Sequence, residues 1–146
     1  MLDIGAGTGA LTAPLVRAGA RVIAIELHPK RAAELRRRFE RPAVTVVQTD
    51  ASDLRLPRRP FRVVANPPFG FTTSIMRRLL SPGSRLTTAD LVVPRHEGRR
   101  WTDARAPAFN RWGMTFATRV VTDLPPSSFR PRPPGGTVVL RIERRA

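Results

Sequence analysis

Cysteine is absent from the 146-residue chain, so disulfides, thiolate catalysis and cysteine-ligated metal sites are excluded. A chain without cysteine is also compatible with the reducing cytoplasm. No apolar run approaches the roughly 18 residues that a membrane-spanning helix requires. The first residues, MLDIGAGTG, lack the basic start and apolar stretch of a secretory signal. We therefore expect a cytoplasmic protein without a membrane span.

Acidic residues are scarce in the second part of the chain. Residues 1–54 carry 8 Lys and Arg against 6 Asp and Glu, whereas residues 55–146 carry 18 against 5. The net charge is +15, and nearly all the cations are arginine, which suits bidentate phosphate contacts and stacking on bases. A genomic preference for arginine would explain its use in place of lysine but not the loss of acidic residues. We expect a polyanionic partner, with RNA or DNA as the first candidate.

Short apolar runs alternate with helical patterns, and 41% of the residues are hydrophobic, enough for one core. Runs such as VIAI and VTVV are typical of parallel strands covered on both faces. The alternation predicts an α/β fold with a doubly wound parallel sheet. The predicted strands are Met1–Ile4, Arg21–Glu26, Ala43–Val47, Phe61–Ala65, Arg85–Val93, Trp112–Val121 and Thr137–Ile142, and the predicted helices are Ala10–Ala18, Pro29–Phe39 and Thr72–Leu80, with a helix and then a loop between Pro94 and Arg111.

The first predicted strand is very short, because Met1 stands only two residues before Asp3. A central strand of this length would leave its neighbours partly unpaired. We therefore expect that an upstream segment, including the start of this strand, is missing from the chain.

A glycine-rich loop follows this strand in the stretch DIGAGTGALT. Gly5, Gly7 and Gly9 allow a sharp turn and the close approach of a ligand to the backbone. A dinucleotide site would favour the spacing G-x-G-x-x-G, whereas the third glycine here comes one residue earlier. Glu26 ends the second strand, where a carboxylate can accept hydrogen bonds from both ribose hydroxyls.

Two further carboxylates extend this pattern. Asp3 ends the first strand, and its charge suits the sulfonium and ammonium groups of S-adenosylmethionine. Asp50 follows the third strand and can accept a hydrogen bond from an adenine amino group. With the glycine loop and Glu26, these residues form the pattern of S-adenosylmethionine-dependent methyltransferases; a tight turn with solvated carboxylates, or an NAD enzyme, is the alternative. His28 and His96 stand apart from other ligand types, so we assign them no metal site.

A stiff corner, Asn66-Pro67-Pro68-Phe69, ends the fourth predicted strand, because two prolines give up two backbone donors and fix two φ angles. The Asn66 side-chain oxygen and the Pro67 carbonyl can each accept one N–H of an exocyclic amine, which turns the nitrogen lone pair toward a methyl donor. Phe69 can stack on the base, a contact worth about 1–3 kcal/mol. A base in a duplex must first leave its stack. The alternative is that the corner is only a rigid turn.

The tetrapeptide predicts methylation of an amine or amide without deciding which one. The pattern N-P-P-[FY] occurs in DNA amino-methyltransferases, in enzymes that methylate guanine N2, and in enzymes that methylate protein glutamine. The basic second part of the chain speaks against a protein substrate.

Longer segments resemble the ribosomal RNA adenine N6-methyltransferases. The last segment, FRPRPPGGTVVLRIERR, is similar to the F-x-P-x-P…V-x-L pattern at the end of that family's methyltransferase domain. The segments LDIGAGTGALT, VVQTDASDLRLP and FRVVANPPFGFTTS are similar to the family's earlier motifs. The similarity is greatest for the erythromycin-resistance type, especially its short members, and weaker for the small-subunit rRNA dimethyltransferases.

This resemblance implies a Rossmann-like class I methyltransferase with an antiparallel last strand, forming one domain over residues 1–146 without a C-terminal helical domain. It implies S-adenosylmethionine as cofactor and a monomer that methylates N6 of one adenine in 23S ribosomal RNA before the ribosome is fully assembled. That product would block macrolide, lincosamide and streptogramin B binding. The implied catalytic residues are Asn66, Pro67 and Phe69, and the implied cofactor residues are Asp3, Gly5, Gly7, Gly9, Glu26, Asp50, Ala51 and Asn66.

RNA would then be held by the domain itself, through cationic groups that contact phosphates and an aromatic ring that stacks on a base. For Arg77 and Arg78, a solvated helix face is the alternative. The predicted RNA-binding residues are Arg77, Arg78, Arg95, Arg99, Arg100 and Trp101.

The chain departs from the family pattern at two places. Pro67 stands where Ile or Leu is more frequent, although proline still offers its carbonyl. Gly135-Gly136 stand where the family usually has Val-Asp, which leaves the start of the last strand open. Two other functions also stay open: an RNA-binding remnant without cofactor, and a methyltransferase for guanine N2, DNA adenine or protein glutamine.

Overall fold

The computed structural model describes residues 1–68, 70–105 and 111–146, and within them strands and helices alternate. The α/β alternation predicted from the sequence is therefore present along the described chain. The strands are β1 (Leu2–Ile4), β2 (Val22–Ile25), β3 (Val44–Val47), β4 (Phe61–Ala65), β5 (Leu86–Pro94), β6 (Phe116–Leu124) and β7 (Thr137–Arg144), and the helices are α1 (Thr12–Arg17), α2 (Pro29–Arg38), α3 (Thr72–Leu79) and α4 (Arg95–Thr102), with short 3-10 helices at Ala51–Asp53 and Pro126–Ser128.

The strands form one seven-stranded sheet in the order β3-β2-β1-β4-β5-β7-β6. Strands β1 to β5 run parallel, and β7 runs antiparallel to both β5 and β6. The predicted doubly wound, mostly parallel sheet with an antiparallel last strand is confirmed. The last strand begins at Thr137, directly after the two glycines, as predicted.

The strand register places three predicted site residues side by side. Ile4 pairs with Ile25 on one side and with Ala65 on the other. The next residue of each strand is therefore at the same edge of the sheet, and these residues are Gly5, Glu26 and Asn66. The carboxyl edge of a parallel sheet is where open α/β folds bind ligands.

Two clusters of buried side chains hold the sheet against its helices. The larger cluster packs Ile75, Met76 and Leu79 of α3 against β4, β5 and β7. The smaller one packs Ala32 and Leu35 of α2 against β2 and β3. The hydrophobic faces of α2 and α3 thus fix the positions of the loops that precede them at the carboxyl edge.

Several element boundaries differ from the sequence prediction, and the structure gives a reason for the starts of α1 and β6. Helix α1 begins at Thr12 rather than Ala10, because the loop closes first through a turn from the Gly9 N–H to the Ala6 carbonyl, 2.9 Å apart. Strand β6 begins at Phe116 rather than Trp112, since the Trp112 ring packs on that of Trp101, with ring centroids 5.6 Å apart. Among the described residues, no helix has both the length and the apolar character needed to cross a bilayer.

Candidate active site

A cavity of about 950 Å³ opens at the carboxyl edge of the sheet. This volume is at the upper end of the range usual for small-molecule sites, roughly 300–1,000 Å³. The ends of β1, β2 and β4 supply its floor. Its walls are the start of α2, the 3-10 helix at Ala51–Asp53 and a proline-rich loop that runs from Phe129 to Pro134. The predicted site residues that line it are Gly5, Glu26, Asp50, Ala51, Asn66 and Pro67.

The glycine loop is fastened to the end of β2 through its backbone. The N–H groups of Gly5 and Ala6 donate to the Ile25 carbonyl at 2.9 and 3.0 Å, and the Gly7 N–H donates to Glu26 Oε2 at 2.7 Å. Gly7 has a φ of +58°, a conformation that glycine adopts without strain, and a Cβ at this position would meet no atom within 4 Å. The space next to the Gly7 backbone, beside Glu26, is therefore unoccupied by protein atoms.

Glu26 is buried, with 6% of its surface exposed, yet it lines the cavity. Its Oε1 accepts the His28 N–H at 2.9 Å and its Oε2 accepts the Gly7 N–H. Each carboxylate oxygen can accept a second hydrogen bond. The backbone thus holds Glu26 in place while leaving both oxygens able to accept from a ligand hydroxyl.

Asp3 lies beneath the glycine loop and does not line the cavity. Its side chain is 1% exposed; Oδ2 accepts the Thr12 hydroxyl at 2.6 Å, and Oδ1 has no partner among the described residues. Burial raises the pKa of Asp3, the nearby Glu26 charge raises it further, and the Thr12 hydrogen bond opposes the rise. Asp3 is therefore a buried support of the loop in this structure.

Gly7 and Gly9 are also absent from the cavity lining, and the contacts of Gly9 explain why glycine stands at that position. Its φ is +99°, and a Cβ would lie 2.6 Å from the Phe39 ring at the end of α2. A side chain at this position would force the ring to move. The third glycine thus lets α2 pack closely against the loop.

Asp50 caps the 3-10 helix and also reaches the cavity. Its Oδ1 accepts both the N–H and the hydroxyl of Ser52 at 2.8 Å. These two hydrogen bonds lower the pKa of Asp50, so the carboxylate is ionised at neutral pH. Ala51 begins the 3-10 helix beside it and lines the same wall.

The corner after β4 packs directly on the glycine loop. A Cβ at Gly5 would lie 3.7 Å from the Pro68 ring and 3.9 Å from the Asn66 carbonyl oxygen, an ordinary packing distance. Pro67 is buried, whereas Asn66 is exposed, and both line the cavity. Phe69 lies outside the described residues, so its stacking role stays a prediction. The corner after β4 thus shares one cavity with Glu26 and Asp50.

The predicted RNA-binding residues have several different environments. Arg77 and Arg99 are exposed. Arg78 Nε donates to the Leu54 carbonyl at 2.6 Å, Arg95 is ion-paired with Asp123, and Arg100 lies 3.8 Å from Glu97. Three of these five arginines thus contact partners within the protein.

The prediction that Trp101 stacks on an RNA base is wrong. The Trp101 side chain is 3% exposed and belongs to the larger core cluster. It occupies the inner face of α4, where it packs against Trp112 and Phe116 rather than facing solvent.

The cavity also contains residues that sequence reasoning did not assign to it. Phe71, which is 56% exposed, and Ser74 lie at the start of α3, and the segment from Phe129 to Pro134 folds over the site. The sequence marks this segment by its resemblance to the end of the family pattern, but only the tertiary structure places it against the ends of distant strands. Arg132 in this segment and Arg31 on α2 add positive charge to the lining.

Comparisons with known proteins agree with this geometry. A family model described as ribosomal RNA adenine dimethylase matches residues 1–146. An rRNA adenine N-6-methyltransferase of Corynebacterium diphtheriae is 35% identical over 145 residues, covering 97% of this chain and 57% of the relative. The mycinamicin-resistance protein MyrB of Micromonospora griseorubida is 37% identical over 156 residues, covering 100% of this chain and 47% of MyrB. The chain spans about half the length of the curated relatives it matches.

Solved structures show the same similarity. The 23S rRNA methyltransferase ErmE superposes with a TM-score of 0.87 at 28% identity, over 99% of this chain and 61% of ErmE. A dimethyladenosine transferase from Plasmodium falciparum superposes with a TM-score of 0.79 at 22% identity, over 99% of this chain and 55% of that structure. The second similarity supports the fold alone.

Proposed function

The chain belongs to the ribosomal RNA adenine dimethylase family, and from this membership we propose that it methylates N6 of an adenine in 23S ribosomal RNA. The observation that carries the proposal is the contact between the Asn66-Pro67-Pro68 corner and the glycine loop, within the cavity that also holds Glu26 and Asp50. The similarity to ErmE supports 23S ribosomal RNA as the substrate. The similarity to MyrB supports antibiotic resistance as the consequence, here against macrolides, lincosamides and streptogramin B.

S-adenosylmethionine fits the residues at this site. Glu26 keeps acceptor capacity for two ribose hydroxyls, Asp50 is an ionised acceptor for the adenine amino group, and Gly7 leaves open space beside them. The negative charges of the two carboxylates suit a cofactor with a positive net charge and no phosphate. When bound, S-adenosylmethionine supplies a methyl group on a sulfonium, so that the C–S bond breaks as the C–N bond to the substrate forms.

Asn66 and Pro67 orient the substrate nitrogen in this proposal. An adenine amino group is a weak nucleophile because its lone pair is delocalised into the ring. When the Asn66 side-chain oxygen and the Pro67 carbonyl each accept one of its N–H groups, the lone pair is directed at the methyl carbon. Alignment supplies most of the rate enhancement, and the product's extra proton passes to solvent.

Substitution of Asn66 tests this role. We expect Asn66→Ala to lower kcat for methyl transfer to protein-free 23S ribosomal RNA by at least about 10²-fold, the scale of a misplaced reacting group. Asn66→Asp keeps side-chain oxygens as acceptors and serves as the matched control, with a smaller loss. Calorimetric titration with S-adenosylhomocysteine should give similar affinities for all three proteins, since Glu26 and Asp50 are unchanged.

Three results would contradict the proposal. Full activity of Asn66→Ala would remove the corner from the mechanism. No heat of binding with S-adenosylhomocysteine would favour an RNA-binding remnant without cofactor. Methyl transfer to a glutamine-containing release-factor peptide, with none to RNA, would favour a protein methyltransferase.

A further inference from the structure

A second cavity, of about 590 Å³, lies at the edge of the sheet opposite the candidate active site. Pro60 and Arg85 precede the parallel strands β4 and β5, and Phe116 begins β6. Arg144 ends β7, which runs antiparallel and therefore finishes at this same edge. The residues between α3 and β5, from Leu80 to Arg85, form one wall. The site thus lies where β4, β5 and β6 begin and β7 ends.

The lining of this second cavity carries positive charge only. Arg85, Arg111 and Arg144 line it, and none of its lining residues is Asp or Glu. Arg85 and Arg111 are exposed and form no ion pair within the described residues. The residues outside the described ranges, Phe69 and 106–110, include neither Asp nor Glu. Hydroxyl groups of Ser81, Ser84, Thr87 and Thr115 complete the polar lining.

One of these arginines is held in place by hydrogen bonds before any ligand binds, and a second lies beside an aromatic ring. Arg144 donates to the Leu86 carbonyl at 2.8 Å and to the Ser84 carbonyl at 2.5 Å, and its guanidinium lies 4.7 Å from the Phe116 ring centroid. Arg111 lies 5.5 Å from the Trp112 ring centroid. A group fixed by hydrogen bonds in this way loses little conformational freedom when it binds an anion.

We propose that this second cavity binds the phosphodiester backbone of the RNA substrate. The inference rests on the proposed function for the identity of the RNA. A concave site with three guanidinium groups and several hydroxyls matches separate phosphate oxygens better than the flat surface of an anionic membrane. β4 joins the two sites, with Pro60 before it and Asn66 after it. Its five residues span about 17 Å, short enough for one folded RNA to contact both edges.

A charge-matched pair of double variants tests the site. Arg85→Gln/Arg111→Gln removes the two lining arginines that, unlike Arg144, donate no hydrogen bond to the described part of the protein, whereas Arg36→Gln/Arg37→Gln removes two exposed arginines of α2 and changes the net charge equally. Filter binding to protein-free 23S ribosomal RNA between 50 and 200 mM KCl measures affinity and its salt dependence. Each lost phosphate contact should reduce the slope of log K against log salt by about 0.7–0.9. We expect a reduction of roughly 1.4–1.8 and at least about 10-fold weaker binding for the first pair, with little change for the second.

A single attached probe gives a second measurement that leaves the three arginines of the second cavity unchanged. Because the chain has no cysteine, Pro82→Cys at the wall of the second cavity takes one photoreactive group, and Arg36→Cys takes the same group as a control. Cross-linking to RNA from position 82, and little from position 36, is the expected result. Equal yields from the two positions would overturn the proposal.

The binding readout separates this inference from the proposed catalysis. Weaker RNA binding by the Arg85/Arg111 variant supports the site even if no methyl transfer is detected, and unchanged binding overturns it even if the enzyme is active. Equal weakening by both double variants would assign the effect to total charge. Selective loss of binding to phosphatidylserine vesicles, with RNA binding retained, would assign the cavity to a membrane instead and overturn the RNA proposal.

Discussion

At the scale of single residues, Asp3 shows how a buried charge supports the site at a cost to the fold. Its Oδ1 has no partner among the described residues, and burial raises the pKa of its carboxyl group. Above its unfolded pKa of 3.8, the unfolded chain binds fewer protons than the folded one at this group. The free energy of unfolding therefore falls as the pH rises through the interval between 3.8 and the raised pKa.

We predict that Asp3→Asn makes the protein more stable at neutral pH. Asparagine keeps an oxygen that can accept the Thr12 hydroxyl but carries no charge to desolvate. Urea unfolding at several pH values should show a gain at pH 7 that disappears below about pH 3, where the carboxyl group is protonated in both states. A gain independent of pH, or a loss at pH 7, would contradict this account of Asp3.

Gly9 provides a second prediction at this scale. Gly9→Ala should lower the free energy of unfolding by roughly 2–4 kcal/mol, because an unfavourable backbone conformation costs about 1–2 kcal/mol and displacement of the Phe39 ring adds to it. The matched control is Gly19→Ala, which has a φ of +86° but no atom near the new Cβ, so that only the backbone cost applies.

A double-mutant cycle assigns the extra cost of Gly9→Ala to its neighbour. In a Phe39→Leu background, Gly9→Ala should cost at least about 0.5 kcal/mol less than in the native background. Equal costs for the Gly9 and Gly19 variants, with no coupling to Phe39, would remove the proposed packing role.

The sequence predicted some site residues better than others, for a physical reason. Gly5, Glu26 and Asn66 each follow an apolar strand, and parallel strands end at one edge, so their meeting place could be derived from position alone. Whether Asp3 or Trp101 faces solvent depends on which helix packs above it. That information lies in tertiary contacts between distant segments, which residue type and spacing do not contain.

At the scale of elements, α4 is attached to the sheet by contacts of its inner face. A Cβ at Gly98 would lie 2.7 Å from Val138 of β7, so the helix approaches the strand closely. Trp101 fills the space one turn later, and its carbonyl accepts the Thr118 hydroxyl at 2.8 Å. The helix thus presents Arg95, Arg99 and Arg100 outward while its tryptophan is part of the core.

We predict that Trp101 affects stability rather than RNA binding. Trp101→Ala should lower the free energy of unfolding by about 3–5 kcal/mol, the usual cost of removing a buried aromatic side chain. Met114→Ala, at a side chain that is 89% exposed, is the control and should change stability by less than about 0.5 kcal/mol. Urea unfolding measures both.

The RNA affinity of a milder variant completes this test. Trp101→Phe keeps an aromatic ring in the core and should bind 23S ribosomal RNA as tightly as the native chain does. A marked loss of affinity in the folded Trp101→Phe protein would restore a stacking role for this residue.

Helices and strands were predicted well where a short stretch of sequence determines them. They were predicted less well where contacts between distant segments determine them. β4 and the start of α2 lie where the apolar run and Pro29 placed them. Strand β6 begins four residues later than predicted. Trp112 is apolar enough for a strand, but it packs on α4 instead. The sequence analysis assigned no site role to the proline-rich loop, because its position over the cavity depends on strands that lie far away in the sequence.

At the scale of the whole molecule, the two edges of the sheet differ in charge. The candidate active site combines the carboxylates of Glu26 and Asp50 with the arginines of its outer walls. All the charged residues that line the second cavity are arginines. The carboxylates suit a cationic cofactor and the arginines suit RNA phosphates, so the surplus of positive charge after residue 54 is consistent with one substrate that contacts both edges.

Identification of the methylated nucleoside is the most direct test of the central claim, that the corner after β4 orients the outer nitrogen of an adenine. The chain would be incubated with isotope-labelled S-adenosylmethionine and protein-free 23S ribosomal RNA, and the RNA digested and analysed by mass spectrometry. The account predicts label in N6-methylated or N6,N6-dimethylated adenosine at a single position. Label in N2-methylguanosine, or no transfer by a chain that binds S-adenosylhomocysteine, would contradict it.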